Sequence, residues 1–155
     1  MARAVLPEHE DTVVIHAAEE RDLPAVRRLL ESQHLPLDGI DEHVSTMVVA
    51  KKEGEVVGAA AVELYADGAL LRSVVVDPIV QGQGLGHRLS DAALSIAKDR
   101  GTRTAFLLTT TAERFFPKLG FEQIERDDVP ASVQASIEFQ SACPASAVVM
   151  RKRLA

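Results

Sequence analysis

Gly82, Gly84 and Gly86 stand at alternate positions in the stretch Ser73-Val-Val-Val-Asp-Pro-Ile-Val-Gln-Gly-Gln-Gly-Leu-Gly-His-Arg88. A valine run ends at Pro78, and an amphipathic segment begins where the glycines end. Glycine lets the backbone take positive φ and approach a ligand with no Cβ in between. Successive N–H groups in such a turn form a concave nest for an anion. A helix start just beyond adds unpaired N–H groups and about half a positive charge. Strand, glycine-rich turn and helix together suit a phosphate or pyrophosphate. The plainer alternative is a tight turn that simply requires glycine. It accounts well for one glycine and poorly for three at a helix start.

Different phosphate loops demand different residues. The P-loop requires Gly-Lys-Ser/Thr, and this chain has Gly86-His87-Arg88. The dinucleotide fingerprint is G-x-G-x-x-G with an acid about 20 residues on. Here the spacing is Gly82-x-Gly84-x-Gly86, and the next strand ends in Thr109. A third pattern, Gln/Arg-x-x-Gly-x-Gly/Ala, is met by Gln81-Gly-Gln-Gly84-Leu-Gly86. The five histidines are scattered without H-x-x-x-H spacing, and C-x-x-C is absent, so no metal site is expected.

The elements that must position the loop follow from periodicity. Strands are predicted over 12–16, 47–50, 56–65, 69–76, 104–109, 121–124 and 147–152. A hairpin turn with Gly54 joins the second and third. A helix is predicted from Asp22 as N-cap, with Leu23, Val26, Leu29 and Leu30 on one face and Pro24 in the first turn. Residues 34–43 read as a loop or short irregular helix. The main helix runs 84–100, with Leu85, Leu89, Ala92, Ala93 and Ile96 at helical spacing and Gly101 as the stop. A short helix from Thr111 or Glu113 to Gly120 and another starting near Asp127 complete a mixed α/β order, β-α-β-β-β-α-β-α-β-(α)-β.

Composition narrows the function classes. A chain of 155 residues fits one domain spanning 1–155, and at that size it buries roughly 68–70% of its unfolded surface. Residues 1–11 are expected to be flexible. Net charge is −6, and the only basic block is Arg151-Lys152-Arg153. With no tryptophan and one tyrosine, Tyr65, neither a basic face nor a stacking platform for nucleic acid is expected. No apolar run approaches the about 18 residues of a membrane span, and the N-terminus lacks the apolar core of a signal peptide. A single cysteine, Cys143, points to a reducing compartment and hence the cytoplasm.

The loop has company. Val74-Val-Val-Asp-Pro78, Gln81-Gly-Gln-Gly84-Leu-Gly86 and Ala112-Glu-Arg-Phe-Phe-Pro-Lys-Leu-Gly-Phe121 together resemble the GNAT superfamily of N-acetyltransferases, over nearly the whole chain. A closer resemblance is to the arsenic-resistance N-acetyltransferases. It is carried by Leu70-Leu-Arg-Ser-Val-Val-Val, Leu107-Leu-Thr-Thr-Thr-Ala-Glu and Phe139-Gln-Ser-Ala-Cys-Pro-Ala-Ser-Ala-Val. The resemblance implies a GNAT-like acyl-CoA N-acyltransferase fold. Its central mixed β-sheet is splayed at the fourth and fifth strands and flanked by helices. It implies transfer of acetyl from acetyl-CoA to a primary amine. The acceptor is a small molecule, amino-acid-like or an arsenical amine, in a resistance or detoxification role. A non-catalytic acetyl-CoA-binding module and an acetyltransferase of protein lysines or N-termini are the alternatives. A homodimer through the C-terminal strands is a further implication.

The resemblance also assigns residues. The backbone of Val74, Val75 and Val76 would pair with the pantetheine arm. The N–H groups of Gln81, Gly82, Gln83, Gly84, Leu85, Gly86, His87 and Arg88 would hold the pyrophosphate. An N–H near Val75 would stabilise the tetrahedral oxyanion. Phe116 takes the place of the family's usual tyrosine, and phenylalanine has no proton for the leaving thiolate. Thr109, with Thr110 and Thr111, would bond substrate or pantetheine, or else reflects strand propensity and capping. Attack needs a neutral amine, hence a base, for which Glu63, Glu42 and His43 are candidates beside the plainer reading of a solvated face. Arg72 interrupts an apolar strand and must be paired, either with a carboxylate or oxyanion on the substrate or in a structural salt bridge. Cys143 reads as a small apolar residue rather than an arsenite ligand.

Overall fold

The glycine turn connects a central strand to a long helix, and the remaining elements brace that junction. The computed structural model describes residues 12–136, 138–142 and 146–154, with 141 and 142 described by backbone alone. The expectations for residues 1–11 and for Cys143 fall outside the described residues. The strands are β1 (Val13–Ala17), β2 (Met47–Lys52), β3 (Glu55–Tyr65), β4 (Gly68–Val76), β5 (Thr104–Thr109), β6 (Glu122–Ile124) and β7 (Val148–Arg153). The α-helices are α1 (Leu23–Ser32), α2 (Leu85–Asp99) and α3 (Ala131–Gln134). The strands form one sheet in the order β1-β2-β3-β4-β5-β7-β6. Its one parallel pair is β4 with β5, the pair that α2 connects.

Several boundaries move for local reasons. The β2–β3 turn shrinks to Glu53 and Gly54, both at positive φ (54° and 83°), the conformation that matches strand twist in a two-residue hairpin. Asp22 does not cap α1 with its side chain. Its Oδ2 accepts the Glu19 N–H at 2.9 Å, and Oδ1 pairs with Lys51 at 3.1 Å. The helix expected from Thr111 or Glu113 is a single 3₁₀ turn, Phe116–Leu119, with Pro117 inside it and Gly120 at φ 97° ending it.

Two faces of the sheet are covered. On one, Leu85, Leu89, Ala93 and Leu94 of α2 pack against Val62, Leu71, Leu107 and Met150. On the other, Val26 and Leu30 of α1 cover Val49, Ala59, Ala61 and Val75. Beside them, Val133 of α3 covers Leu70, Phe106 and Val149. The approach of α2 is close: a Cβ on Gly58 would lie 2.7 Å from Leu89 Cδ1 and 3.1 Å from the Val75 carbonyl oxygen. Gly58→Ala is therefore expected to destabilise the chain by about 1–3 kcal/mol through overpacking, read as a lowered midpoint in urea with unchanged slope. Among the described residues no helix is long and apolar enough to cross a membrane.

The sheet opens where the sequence expects it to. β4 and β5 pair only at Ala69–Ala105 and Leu70–Phe106. Each strand stays bonded on its outer side, β4 to β3 as far as Val76 and β5 to β7 as far as Thr109. Their inner edges therefore part without either strand losing its place, and main-chain groups without a strand partner face the gap.

Candidate functional site

The gap between β4 and β5 is a cavity of about 580 Å³, within the size range of small-molecule sites. The glycine turn lines its open end. Gly82 and Gly84 have φ of 87° and 77°, and a Cβ at either would meet nothing within 4 Å. They are needed for backbone conformation, and the space before them is open. Gly84 is the N-cap of α2, without a side-chain cap. The first bond of the helix is Arg88 N–H to the Gly84 carbonyl at 3.1 Å, so the N–H groups of Leu85, Gly86 and His87 precede the helical ladder. Gly86 serves differently, since its Cβ would lie 3.1 Å from the Phe115 ring. The turn fits a diphosphate on these grounds.

The wall of the cavity is a β-bulge. Ala59 pairs with Val75 and Ala61 with Arg72, so Ala60 faces both Ser73 and Val74. Ser73 sits at φ 60°, a left-handed conformation that costs a non-glycine residue on the order of 1 kcal/mol. The extra residue inverts the inside–outside alternation of the strand. Ala69 and Leu71 point to α2 before the bulge; Val74 and Val76 do so after it, while Val75 turns to α1. At the far end the Val76 carbonyl accepts from Gln33 Nε2 at 2.7 Å and from Gln81 Nε2 at 2.9 Å, which uses both of its lone pairs.

The closed end holds a buried polar cluster in the seam between the two small cores beneath α1 and α3. The Arg72 side chain is fully buried. Its Nη1 donates to Glu63 Oε2 at 2.8 Å, its Nε donates to Ser73 Oγ at 3.0 Å and lies 3.3 Å from Glu138 Oε2, and Nη2 reaches the Pro36 carbonyl at 3.4 Å. Glu63 also accepts from the Tyr65 hydroxyl, and His43 Nε2 lies 3.1 Å from its Oε2. Burial alone would raise the Glu63 pKa; hydrogen bonds from His43, Arg72 and Tyr65 outweigh it and hold the carboxyl at about 2. Burial and the Glu63 hydrogen bond push the Tyr65 hydroxyl up. Glu138 goes the opposite way. Burial raises it to about 7, with Arg72 opposing and Glu63 adding to the rise.

These directions give the fold a pH signature. Glu63 is depressed from 4.5 to about 2, so its stabilisation is present above pH 4.5 and is lost as pH falls toward 2. Glu138 is raised from 4.5 to about 7, so its protonated form favours folding, and that contribution is lost as pH rises from 4.5 through 7. Each limb amounts to on the order of 1–3 kcal/mol. Thermal midpoints are expected to fall on both sides of about pH 4.5–5, and the loss toward pH 7 should vanish in Glu138→Gln. An unchanged descent in that variant would assign it elsewhere.

The sequence-predicted residues divide clearly. Val74, Val75, Val76, Gln81, Gly82, Gly84, Leu85, Gly86, His87, Thr109 and Phe116 line the cavity together with Arg72; Gln83, Glu42, His43 and Glu63 do not. Glu63 stands behind Arg72, and a carboxyl held at about pH 2 takes up no proton near neutrality. It anchors the arginine and lies outside the cavity lining, where the expected base would stand. Of the two readings of Arg72, the structure shows the salt bridge, to Glu63 and Glu138, and the same side chain also lines the cavity. Thr109 Oγ1 accepts from the Ala112 N–H at 2.9 Å and the Thr111 N–H at 3.3 Å, so it caps the turn after β5. Phe116 packs edge-to-face on Phe115 and Phe121, with centroids at 5.0 and 5.9 Å. Sequence reasoning missed Gln33, Pro36, Ser73 and Glu138. Only tertiary contacts 36 to 66 positions along the chain bring Pro36, Gln33 and Glu138 to β4. No group of three or more His, Cys, Asp or Glu among the described residues is placed to hold a metal ion.

The family described as the acetyltransferase (GNAT) domain matches residues 43–123. An amino-acid acetyltransferase of Mycobacterium tuberculosis is 32% identical over 131 residues, 77% of this chain and 74% of that protein. An amino-acid acetyltransferase of Neisseria meningitidis is 28% identical over 78% of this chain, which spans only 30% of that longer relative. A Mycobacterium tuberculosis protein solved in complex with CoA superposes with a TM-score of 0.79 at 28% identity, over 92% of this chain and 99% of that one. The open parallel pair, the glycine turn at the start of α2 and the matched span together place the chain in the GNAT acetyltransferase family.

Proposed function

We propose that the chain transfers the acetyl group of acetyl-CoA to the primary amine of a small, amino-acid-like acceptor. One observation carries this reading: a single cavity runs from the glycine turn to Arg72 between two strands that pair with each other only at Ala69–Ala105 and Leu70–Phe106. Donors for a diphosphate lie at one end, main-chain groups for an extended amide-bearing arm in the middle, and charged side chains at the other. Lying along β4, the arm takes the place of one of the two glutamine amides at the Val76 carbonyl. N–H groups at the bulge, beside Val75, are placed to meet a developing oxyanion. Phe116 supplies no proton, which the chemistry tolerates because a thiolate is a good leaving group.

The name amino-acid acetyltransferase on two relatives supports an amino acid as acceptor. So does the pairing of an arginine and a carboxylate, Arg72 and Glu138, at the acceptor end. A resistance role toward an arsenical amine rests on the residue runs around Arg72, Thr109 and Phe139, and it enters the same panel.

The test is acetyl-CoA binding by calorimetry, followed by thiol release from acetyl-CoA with the twenty amino acids, an arsenical amino acid, and lysine-bearing and N-terminal peptides. Release with one or more free amino acids is expected. Tight binding with no turnover on any amine would make the chain an acetyl-CoA-binding module, and turnover on peptides alone would make it a protein acetyltransferase.

A further inference from the structure

Two carboxylates flank one buried guanidinium, and they differ in what they touch. Glu63 is held by Arg72, Tyr65 and His43, and it is shut off from the cavity. Glu138 is 4% exposed, and it lines the cavity at the closed end of the opening, where Arg72 and Ser73 begin the bulge. Its Oε2 lies 3.3 Å from Arg72 Nε. The π-helical turn that carries it, Glu138–Ala142, is tied down. Ser136 Oγ accepts the Phe139 N–H at 3.3 Å, the Ser136 carbonyl accepts the Gln140 N–H at 3.0 Å, and the Arg126 guanidinium lies 5.3 Å from the centre of the Phe139 ring.

The position along β4 is informative. The glycine turn fixes the diphosphate end beyond Val76, so an arm running down the strand points its thioester toward Ser73 and Arg72. An acceptor nitrogen approaching that carbonyl from the closed end comes beside Glu138. We propose that Glu138 is the catalytic base, taking the proton of the acceptor ammonium before attack. This rests on the acetyltransferase reading above.

The step balances simply. A proton passes from the ammonium to Glu138 Oε, leaving a neutral amine. The nitrogen lone pair forms the C–N bond at the thioester carbonyl. When the tetrahedral species collapses, the C–S bond breaks, the sulfur leaves as thiolate, and one of the two protons left on the nitrogen goes to sulfur to give free thiol, the other staying on the amide. Glu138 returns its proton to water once the products have left the cavity. The charges facing Glu138 are Arg72 of β4, Glu63 of β3, Asp38 of the loop after α1 and His43 of the 3₁₀ turn Ile40–Thr46. Burial, with the repulsion from Glu63 and Asp38, outweighs the attraction of Arg72 and His43 and places its titration at about 7. That suits a base working near neutrality. Carboxylates whose surroundings push their titrations apart are a recognised mark of divided roles.

The experiment is kinetic. In wild type, kcat with the fastest amino acid should show an acidic limb near pH 7. Glu138→Gln should lower kcat at pH 7 by about 100- to 1,000-fold, remove that limb, and leave the acetyl-CoA Kd within about twofold by calorimetry. Glu138→Asp, which keeps the acid on a shorter arm, should recover part of the rate and guards against a folding defect in the glutamine variant. If Glu138→Gln keeps kcat within about threefold with the same limb, or if aspartate is no better than glutamine while both bind acetyl-CoA, Glu138 is not the base. Failure of wild type to bind acetyl-CoA or to turn over any amine would instead overturn the acetyltransferase reading, and this proposal with it.

Discussion

Gly84→Glu should abolish acetyl-CoA binding, raising Kd by at least about 100-fold, or more than about 2.7 kcal/mol, while leaving the protein folded. The two halves of this expectation have different origins. Gly84 stands at φ 77°, so any other residue there costs about 1–2 kcal/mol of backbone strain. Its Cβ would meet nothing within 4 Å, so no clash adds to that cost. A carboxylate at the start of α2 returns about 0.3–1 kcal/mol through the helix dipole. Stability should therefore fall by less than about 2 kcal/mol, which leaves the protein folded. Binding changes because the new carboxylate occupies the donors meant for a diphosphate and repels it. Gly84→Ala carries the strain without the charge, and its affinity should fall by less than about tenfold. The gap between the two variants, measured by calorimetry, isolates the electrostatic part. Wild-type affinity in the glutamate variant would place the coenzyme somewhere else.

Arg72→Met should lower stability by about 3–5 kcal/mol, or roughly 10–15 °C in thermal midpoint for a chain of this size. The cost is not the loss of one ion pair. Removing the guanidinium leaves the Glu63 carboxylate, 1% exposed, with only His43 and Tyr65 among the described residues to stabilise its charge. Glu138 loses its one attractive neighbour on β4, and its titration should move further up. The double variant Arg72→Met, Glu63→Gln removes the stranded charge together with its partner. It should be more stable than the sum of the single variants implies, by about 1–3 kcal/mol in a double-mutant cycle. Additive losses would mean that Arg72 is held by packing and not by its carboxylates.

The two experiments probe opposite ends of one cleft. In the proposed reading, function at the glycine turn resides in main-chain N–H groups, and side chains matter mainly where they would intrude. At the bulge end it resides in a few buried side chains, and each is defined by its partners.

The contrast also explains what could be read from the chain alone. Alternate glycines before an amphipathic run specify backbone freedom at a helix start, which is a local property. So are the valine-rich strand, the period of α2 and the hairpin at Gly54. Local patterns of this kind carry the order of strands and helices and the anion-binding character of the glycine turn, whereas the splayed pair followed from the family resemblance. Arg72 stood out in the sequence because an arginine inside an apolar strand demands a partner. The partners themselves were not legible. Glu63 resembled any strand-face glutamate, and Glu138 lay in a segment with no regular period. Ser73 gives no sign in its type that it takes a left-handed conformation and inverts the strand's alternation. Those features depend on α1 and α3 covering separate stretches of one sheet face, which leaves a seam where charged groups must satisfy each other. Contacts between distant segments decide which carboxylate is held ionised behind the wall and which faces the cavity, because desolvation and charge act through space and not along the chain.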